Sequence, residues 1–405
     1  MNLTATIMLL PLTWVNDCLI YSHYFHPTED FMNTFPSLNF IKVIKAFLLL
    51  LLLVIISIVV YLQHPKFAEP TIEQDSYGGK YYDGKFHNPV EHPLVTTKES
   101  RLTRLYNFIF NPSPVTVPSR QLPSQKTDLN QLSLNDNVIV WMGHSSYFIQ
   151  IDGIKILVDP VFSENASPVP MTNVAFEGSN IYKVSDIPNI DYLLITHDHW
   201  DHLDYPTISA LKDKIAKVIT PIGVGSYFTQ WGYDPKNIIE GDWNSKHHFD
   251  GIDIHVLPAE HFSGRMLTRN QTLWGSFAVI TPQHKIYLSG DSGYGPHFKE
   301  IGQQLGVFDI AILENGQYNK NWPYIHMMPD ETAQAAIDLK AKALLPAHNS
   351  KFKLSNHKWF DPMESLYLLS KNKPYRLLTP IIGASIDLDN QEQIFQPWWK
   401  KEEPW

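Results

Sequence analysis

Residues 191–204 read DYLLITHDHWDHLD. The first half, Tyr192 to Ile195, is apolar without alternation, the pattern of a strand covered on both faces. The second half then crowds His197, Asp198, His199, Asp201 and His202 into six positions. Two histidines at i and i+2 point the same way in extended or turn geometry, so His197 and His199 can chelate one ion. Asp201 and His202 continue the loop and can reach a second ion nearby. The bland alternative is a His-rich loop satisfied by water. Ligand-type residues packed this densely after an apolar strand argue against it.

Working outward, three more ligand types close apolar strands: His261 ends IDIHVLPAEH, Asp291 ends KIYLSGD, and His348 ends ALLPAH. A single carboxylate between two ions would bridge them, and Asp291 is the natural choice. Upstream, NVIVWMG, SYFIQI and IKILVDP read as strands, the last two joined at Asp152 and Gly153 by a hairpin signal. KVITPI, SFAVITP and FDIAILE are further strands. YPTISALKDKI, HFKEIGQQLG, PDETAQAAIDLKAK and PMESLYLLSKN carry helical periodicity. Strands alternate with helices yet hairpins also occur, so the class is mixed α/β with helix-covered sheets.

Composition supports a metal held without thiolates. The chain has 405 residues, 44% hydrophobic and 18% charged. Its one cysteine, Cys18, can form neither an internal disulfide nor a thiolate site, whereas histidines number 18. With 32 basic against 41 acidic residues, a net charge of -9 and no run of like charge, no nucleic-acid partner is expected.

One segment is not soluble-protein sequence. Ala46 to Leu62, AFLLLLLLVIISIVVYL, has only the hydroxyls of Ser57 and Tyr61 as side-chain polar groups. Val43 and Ile44, with snorkelling Lys42 and Lys45, lengthen the run. No small-x-small cleavage site follows it, so residues 43–63 read as an uncleaved single-pass anchor to the bilayer rather than a signal peptide. Lys42 and Lys45 tilt the positive-inside balance toward an extracytoplasmic main domain. Residues 1–40 fit poorly with the rest, and Met32 is an alternative start. Residues 64–133 read as an extended linker and preamble, interrupted by a short amphipathic helix, ESRLTRLYNFIF, whose apolar side is expected to pack on the domain rather than lie in a lipid interface. Residues 134–396 form the main domain.

The motifs WMGHSSYFIQIDGIKILVDPVFSENASP, THDHWDHLD, PAEHFSGR, TLWGSFAV, LSGDSGYGPHFKEIG and IHMMPDE, with His348 downstream, resemble the metallo-β-lactamase fold hydrolases. The nearer similarity is to the N-acylphosphatidylethanolamine-hydrolysing phospholipase D branch. That resemblance implies a metallo-β-lactamase-like αβ/βα four-layer sandwich with two zinc ions at its rim. His197, His199 and His261 would hold the first, Asp201, His202 and His348 the second, with Asp291 shared. His326 matches a histidine near the substrate phosphate, against the plainer role of a histidine hydrogen-bonded at a helix N-terminus. His144 and Asp198 would orient ligands rather than bind metal. A phosphodiesterase using a metal-bridging hydroxide on a membrane phospholipid is implied. In it His326 would protonate the leaving group or hold a phosphoryl oxygen, and Arg265 would pair with the phosphate.

Two features depart from the branch. Ile325 stands where its enzyme has a polar side chain, and SGR replaces a different basic loop after His261, leaving headgroup and acyl preference open. A di-metal hydrolase of a small lactone or amide is the alternative enzyme, because one fold hosts many chemistries. A non-enzymatic membrane-tethered binding module fits the full ligand set poorly. A homodimer is compatible with the sequence.

Overall fold

The computed structural model describes residues 40–72, 80–111 and 115–402. The alternative start at Met32 lies outside the described residues. The chain divides into two units, Met1–Leu62 and Gln63–Trp405.

In the first unit, α1 (Phe40–Leu62) carries the expected apolar run. Its stretch Lys42–Leu62 is 21 residues long, none of it buried by protein, and is long and apolar enough to cross a membrane. At about 1.5 Å per residue it spans about 31 Å. Ser57 Oγ donates to Leu53 O at 2.8 Å, so this hydroxyl is satisfied within the helix.

The second unit opens with a small hairpin, β1 (Tyr81–Tyr82) and β2 (Lys85–Phe86), and with α2 (Arg101–Phe110). Two seven-stranded sheets follow. In the first, β3 (Val138–Trp141), β4 (Tyr147–Ile151), β5 (Ile154–Val158), β6 (Ile190–Leu194), β7 (Ile215–Pro221) and β8 (Ile238–Gly241) lie side by side in chain order, and β16 (Ser385–Asp387) returns beside β3. In the second, β9 (Ser245–Phe249), β10 (Ile252–Leu257), β11 (Ser276–Ile280), β12 (Lys285–Leu288), β13 (Phe308–Glu314), β14 (Ala341–Ala347) and β15 (Arg376–Leu377) are likewise ordered. Each sheet is antiparallel at one side, and β5 to β8 and β12 to β15 are parallel. The β4–β5 register pairs Ile151 with Ile154, leaving Asp152 and Gly153 as a two-residue turn at φ 49° and 78°. Both positive values are what that tight hairpin requires.

The layers follow from strand pleating. Leu194 faces the core shared by both sheets, alongside Val158, Val256, Leu288 and Ile312. Its neighbour Leu193 faces the opposite side with Phe148 and Leu157, against Ile208 and Leu211 of α3 (Tyr205–Leu211) and Phe228 of α4 (Gly225–Gln230). On the far side of the second sheet, Ala311, Leu313 and Leu344 meet Phe298 of α5 (His297–Gln304), Ala333 and Ala336 of α6 (Pro329–Asp338) and Leu366 of α7 (Asp361–Ser370). Burial of each such Leu contributes about 1.5–3 kcal/mol. The arrangement is the expected four-layer sandwich.

Several local expectations change. β8 and β9, each at a sheet edge, were not legible, because edge strands with one covered side carry little apolar sequence. The helix expected through PDETAQAAIDLKAK ends at Asp338, and Lys340 turns left-handed at φ 56° so that Ala341 can pair with Phe308. Residues 64–133 have little regular structure but are not a free tether. Phe67, Phe86, Leu122 and Leu129 are buried, Asn88 Nδ2 donates to His261 O at 2.8 Å, and the His92 ring stacks on Tyr324 at 4.1 Å. Trp398 and Trp399 are buried in the central core, so the domain runs past residue 396.

The packing expected of α2 is not seen. The helix forms where expected, with Ser100 Oγ capping Thr103 N at 3.1 Å. Its apolar residues Leu102, Leu105, Tyr106, Ile109 and Phe110 fall at i, i+3, i+4, i+7 and i+8, a single stripe, and all are exposed, Leu102 by 79%.

Candidate metal centre

Every candidate ligand sits just past the carboxyl end of a strand, where an open α/β sheet has its crevice. The loop after β6 supplies His197, His199, Asp201 and His202. Asp291 follows β12, His348 follows β14, and His261 lies four residues past β10. Gly290, at φ 56°, lets the Asp291 turn reach the histidine loop, since a Cβ there would meet Thr196 Cβ at 2.8 Å. His144 and His348 are themselves left-handed, at φ 55° and 61°, strain of about 1–3 kcal/mol each that the surrounding packing holds.

Three groups of ligand atoms emerge among the described residues, each within 4.8 Å. The first comprises His197, His199, His261 and Asp291, the second His144, Asp201, His202 and His348, and beside these two lies a third of Asp291, Glu314, His326 and His348. In the first, His199 Nδ1 lies 2.9 Å from His197 Nε2 and 3.3 Å from His261 Nε2, while Asp291 Oδ2 stands 3.8 and 3.7 Å from those Nε2 atoms. In the second, His348 Nε2 is 3.2 Å from Asp201 Oδ2 and 3.2 Å from Asp291 Oδ2, and His202 Nε2 is 3.2 Å from Asp291 Oδ1. Asp291 therefore touches both groups, as a shared ligand would.

The surroundings turn acceptor atoms inward. His261 Nδ1 donates to Ile325 O at 2.9 Å, leaving Nε2 as an acceptor. His202 Nδ1 lies 2.8 Å from Asp159 Oδ2, which does the same for its Nε2. His202 Nε2 and Asp291 Oδ1 are both buried without a hydrogen-bond partner. Acceptors facing acceptors at these distances repel unless a cation lies between them, so the donor set fits divalent ions.

Charge in the pocket agrees. Burial holds His197 and His261 well below the usual imidazole range and brings His199 down to about 4. These three are neutral at physiological pH, as ligands must be. At His202 burial acts the same way but is outweighed by Asp291 and Asp201, so the carboxylates draw positive charge to this spot.

The other expected residues are placed as follows. His144 Nε2 contacts Asp201 Oδ2 at 2.8 Å, which orients that carboxylate. Asp198 accepts from Tyr227 OH at 3.0 Å and from Gly264 N at 2.6 Å, so it ties the histidine loop to the loop after His261 rather than orienting a ligand ring. His326 lies beside the centre, its ring 5.2 Å from His261 and 5.1 Å from His348.

Arg265 needs correction. It is 5% exposed, its Nη1 donates to the carbonyls of Asp198 (2.9 Å) and Leu203 (2.6 Å), and its guanidinium lies 3.9 Å from the Trp200 ring. A loop that aims its side chains at metal turns carbonyl oxygens into the protein, and Arg265 satisfies them. Its burial and the commitment of Nη1 to the ligand loop argue against the expected pairing with a phosphate.

Two acidic residues went unassigned by sequence. Asp159 follows β5, at φ 39°, and accepts from Thr196 N and Oγ1 as well as facing His202. Glu314 ends β13 and faces His326. The signal that found His261, Asp291 and His348, a ligand-type residue closing an apolar strand, was present at both.

A sandwich with such clusters at its strand ends is that of a metal-dependent hydrolase, and comparison with known proteins agrees. Residues 155–349 match the β-lactamase superfamily domain. An uncharacterized protein of Mycobacterium tuberculosis is 33% identical over 324 residues, 79% of this chain and 87% of that protein. The N-acyl-phosphatidylethanolamine-hydrolyzing phospholipase D 1 of Caenorhabditis elegans is 29% identical over 245 residues, 56% of this chain and 67% of that one. The crystal structure of "a possible metal-dependent hydrolase" from Veillonella parvula shares the fold with a TM-score of 0.51 at 14% identity, over 62% of this chain and 99% of that one. The chain belongs to the metallo-β-lactamase-fold hydrolases and is similar to the N-acylphosphatidylethanolamine-hydrolysing phospholipases D among them.

Proposed function

We propose that this hydrolase is a zinc-dependent phosphodiesterase of phospholipase D type. It acts on N-acylphosphatidylethanolamine-like lipids in a membrane to which α1 anchors it, with the catalytic domain on the extracytoplasmic side. The observation that carries the reading is two buried ligand groups sharing Asp291, with His326 beside them. His197, His199 and His261 would hold one ion, Asp201, His202 and His348 the other. Zinc held there supplies Lewis acidity and an activated water.

The residues around the centre do the rest. Asp291 holds negative charge between the two groups and keeps them at a fixed spacing. His326, fastened through Nδ1, offers Nε2 to a phosphoryl oxygen or to the leaving alkoxide, which takes a proton there as the P–O bond breaks. Burial of the ligand loop excludes bulk water from behind the centre.

A lipid substrate is favoured by the span in α1, by the exposed apolar stripe of α2, and by the Met266–Leu267 tip of the loop that follows His261, where Leu267 is 99% exposed. The test is to incubate the purified full chain in detergent with vesicles containing N-acylphosphatidylethanolamine and to follow products by mass spectrometry. Water added at phosphorus yields phosphatidic acid and an N-acylethanolamine, and elemental analysis should find two zinc ions per chain. His197→Ala should lose metal and turnover together. Hydrolysis of a lactone or amide with no phosphodiester cleavage would transfer the assignment to that substrate class.

A further inference from the structure

We infer that Glu314 is the positioning residue for His326, clamping the ring so that Nε2 is presented to the substrate. This rests on the role just proposed for His326. Glu314 is fully buried at the end of β13. Its Oε2 accepts from His326 Nδ1 at 3.0 Å and from Ser292 N at 3.0 Å, and its Oε1 accepts from Met327 N at 2.5 Å. One carboxylate thus grips the residue after Asp291, the residue after His326, and the His326 ring.

Three consequences follow from that geometry. With Nδ1–H committed as a donor to Glu314, Nε2 is the nitrogen left for the substrate, and the proton the leaving alkoxide takes is the Nε2–H of the imidazolium that the carboxylate supports. The ring is held by charge-assisted hydrogen bonding instead of sampling rotamers, so less entropy is lost when substrate arrives. And because the same carboxylate holds the Ser292 amide, the proton-handling nitrogen keeps a fixed distance from Asp291 and the metal groups.

A competing role is that of a third metal ligand, since Glu314, His326, His348 and Asp291 offer atoms within 4.8 Å. The geometry disfavours it. Both Glu314 oxygens already accept hydrogen bonds, and His348 Nδ1 stands 3.9 Å from Oε2, beyond a hydrogen bond.

The experiment is a double-mutant cycle with Glu314→Gln, His326→Ala and the pair. It is read on two phosphodiesters, the N-acylphosphatidylethanolamine vesicle and bis(p-nitrophenyl) phosphate. The amide introduced by Glu314→Gln has one oxygen, which can still accept from the Met327 amide, while its NH2 takes the Oε2 place beside Ser292 N and Nδ1 and is a poor partner for both. An unfolding midpoint measured on the variant separates this local change from loss of the fold. For the lipid, whose alkoxide needs a proton to leave, Glu314→Gln should lower kcat by about 10–100-fold with KM little changed. For p-nitrophenolate, which leaves unaided, the loss should be under about tenfold. In the His326→Ala background, Glu314→Gln should cost nothing further. Zinc content should stay at the unmodified level, and the ¹⁵N signals of His326, assigned by their absence in His326→Ala, should shift in Glu314→Gln even without substrate, because Nδ1–H loses its carboxylate acceptor.

Losses that multiply in the double variant, equal losses on both phosphodiesters, or zinc lost from Glu314→Gln would overturn the inference and make Glu314 a structural or ligand-supporting group. If the unmodified chain cleaves only a lactone, the phosphodiesterase reading fails. The cycle run on that lactone then decides the clamp on its own, through coupling or its absence.

Discussion

His202 Nδ1 stands 2.8 Å from Asp159 Oδ2, and this contact turns His202 Nε2 into the gap between Asp201 and Asp291. Asp159 also binds the Thr196 amide at 2.8 Å and hydroxyl at 2.6 Å, so one carboxylate fixes both the start of the histidine loop and the direction of a ligand ring. Asp159→Asn keeps an acceptor of the same shape without the charge. If two ions bind as proposed, it should weaken binding at the group containing His202 by about 10–100-fold while sparing the other group. Competition against a chelator of known affinity measures this; two unchanged affinities would refute the coupling.

Arg265 tests a different relationship. Its guanidinium stacks on Trp200 and satisfies carbonyls behind the ligand loop. Arg265→Lys keeps the charge but cannot reproduce the planar fork or the stack. We expect a loss of about 1–3 kcal/mol of stability, from stranded buried carbonyls, with no change in preference between anionic and neutral substrates of matched shape. A selective rise in KM for the anionic substrate would return Arg265 to the substrate.

The apolar stripe of α2 and the tip at Leu267 should meet lipid. Leu105→Asp with Leu267→Asp removes two exposed apolar side chains and touches none of the metal groups. Turnover of lipid in vesicles should fall several-fold while turnover of a small soluble phosphodiester stays constant. Equal effects on both substrates would mean that these residues serve the fold.

Lys351 makes stability depend on pH. It is buried, its Nζ donates to Val161 O at 2.8 Å, and burial brings its ammonium down to about 7. The unfolded chain holds that proton up to the ordinary lysine range near 10.5. Between these values the unfolded state binds more protons, so this group's contribution to stability rises with pH, by up to about 1.4 kcal/mol per unit. Below about 7 both states are charged and the destabilisation is fully present. Lys351→Met should remove that slope. Urea midpoints for both proteins at about pH 7, 8 and 9 check it, parallel curves being the contrary result.

What the sequence determined by itself was everything carried by local pattern. Tyr192 to Ile195 declares a doubly covered strand, and Asp152–Gly153 a hairpin. HDHWDH declares a candidate chelating loop, because ligand spacing along a short segment is a local property. His261, Asp291 and His348 were legible for the same reason, each closing an apolar run. Tertiary structure decided what depends on packing direction. Arg265 looks in sequence like a phosphate partner, yet the loop it follows folds back and points it at the carbonyls of Asp198 and Leu203. The stripe of α2 has the spacing of a packed helix, and only the fold shows that nothing in the described protein covers it. Asp159 and Glu314 sit at strand ends like the candidate ligands, but which acid joins a ligand group and which faces a histidine depends on the approach of strands far apart in sequence. Those distances of about 3 Å are set by sheet register and by turns such as Gly290, which no local pattern encodes.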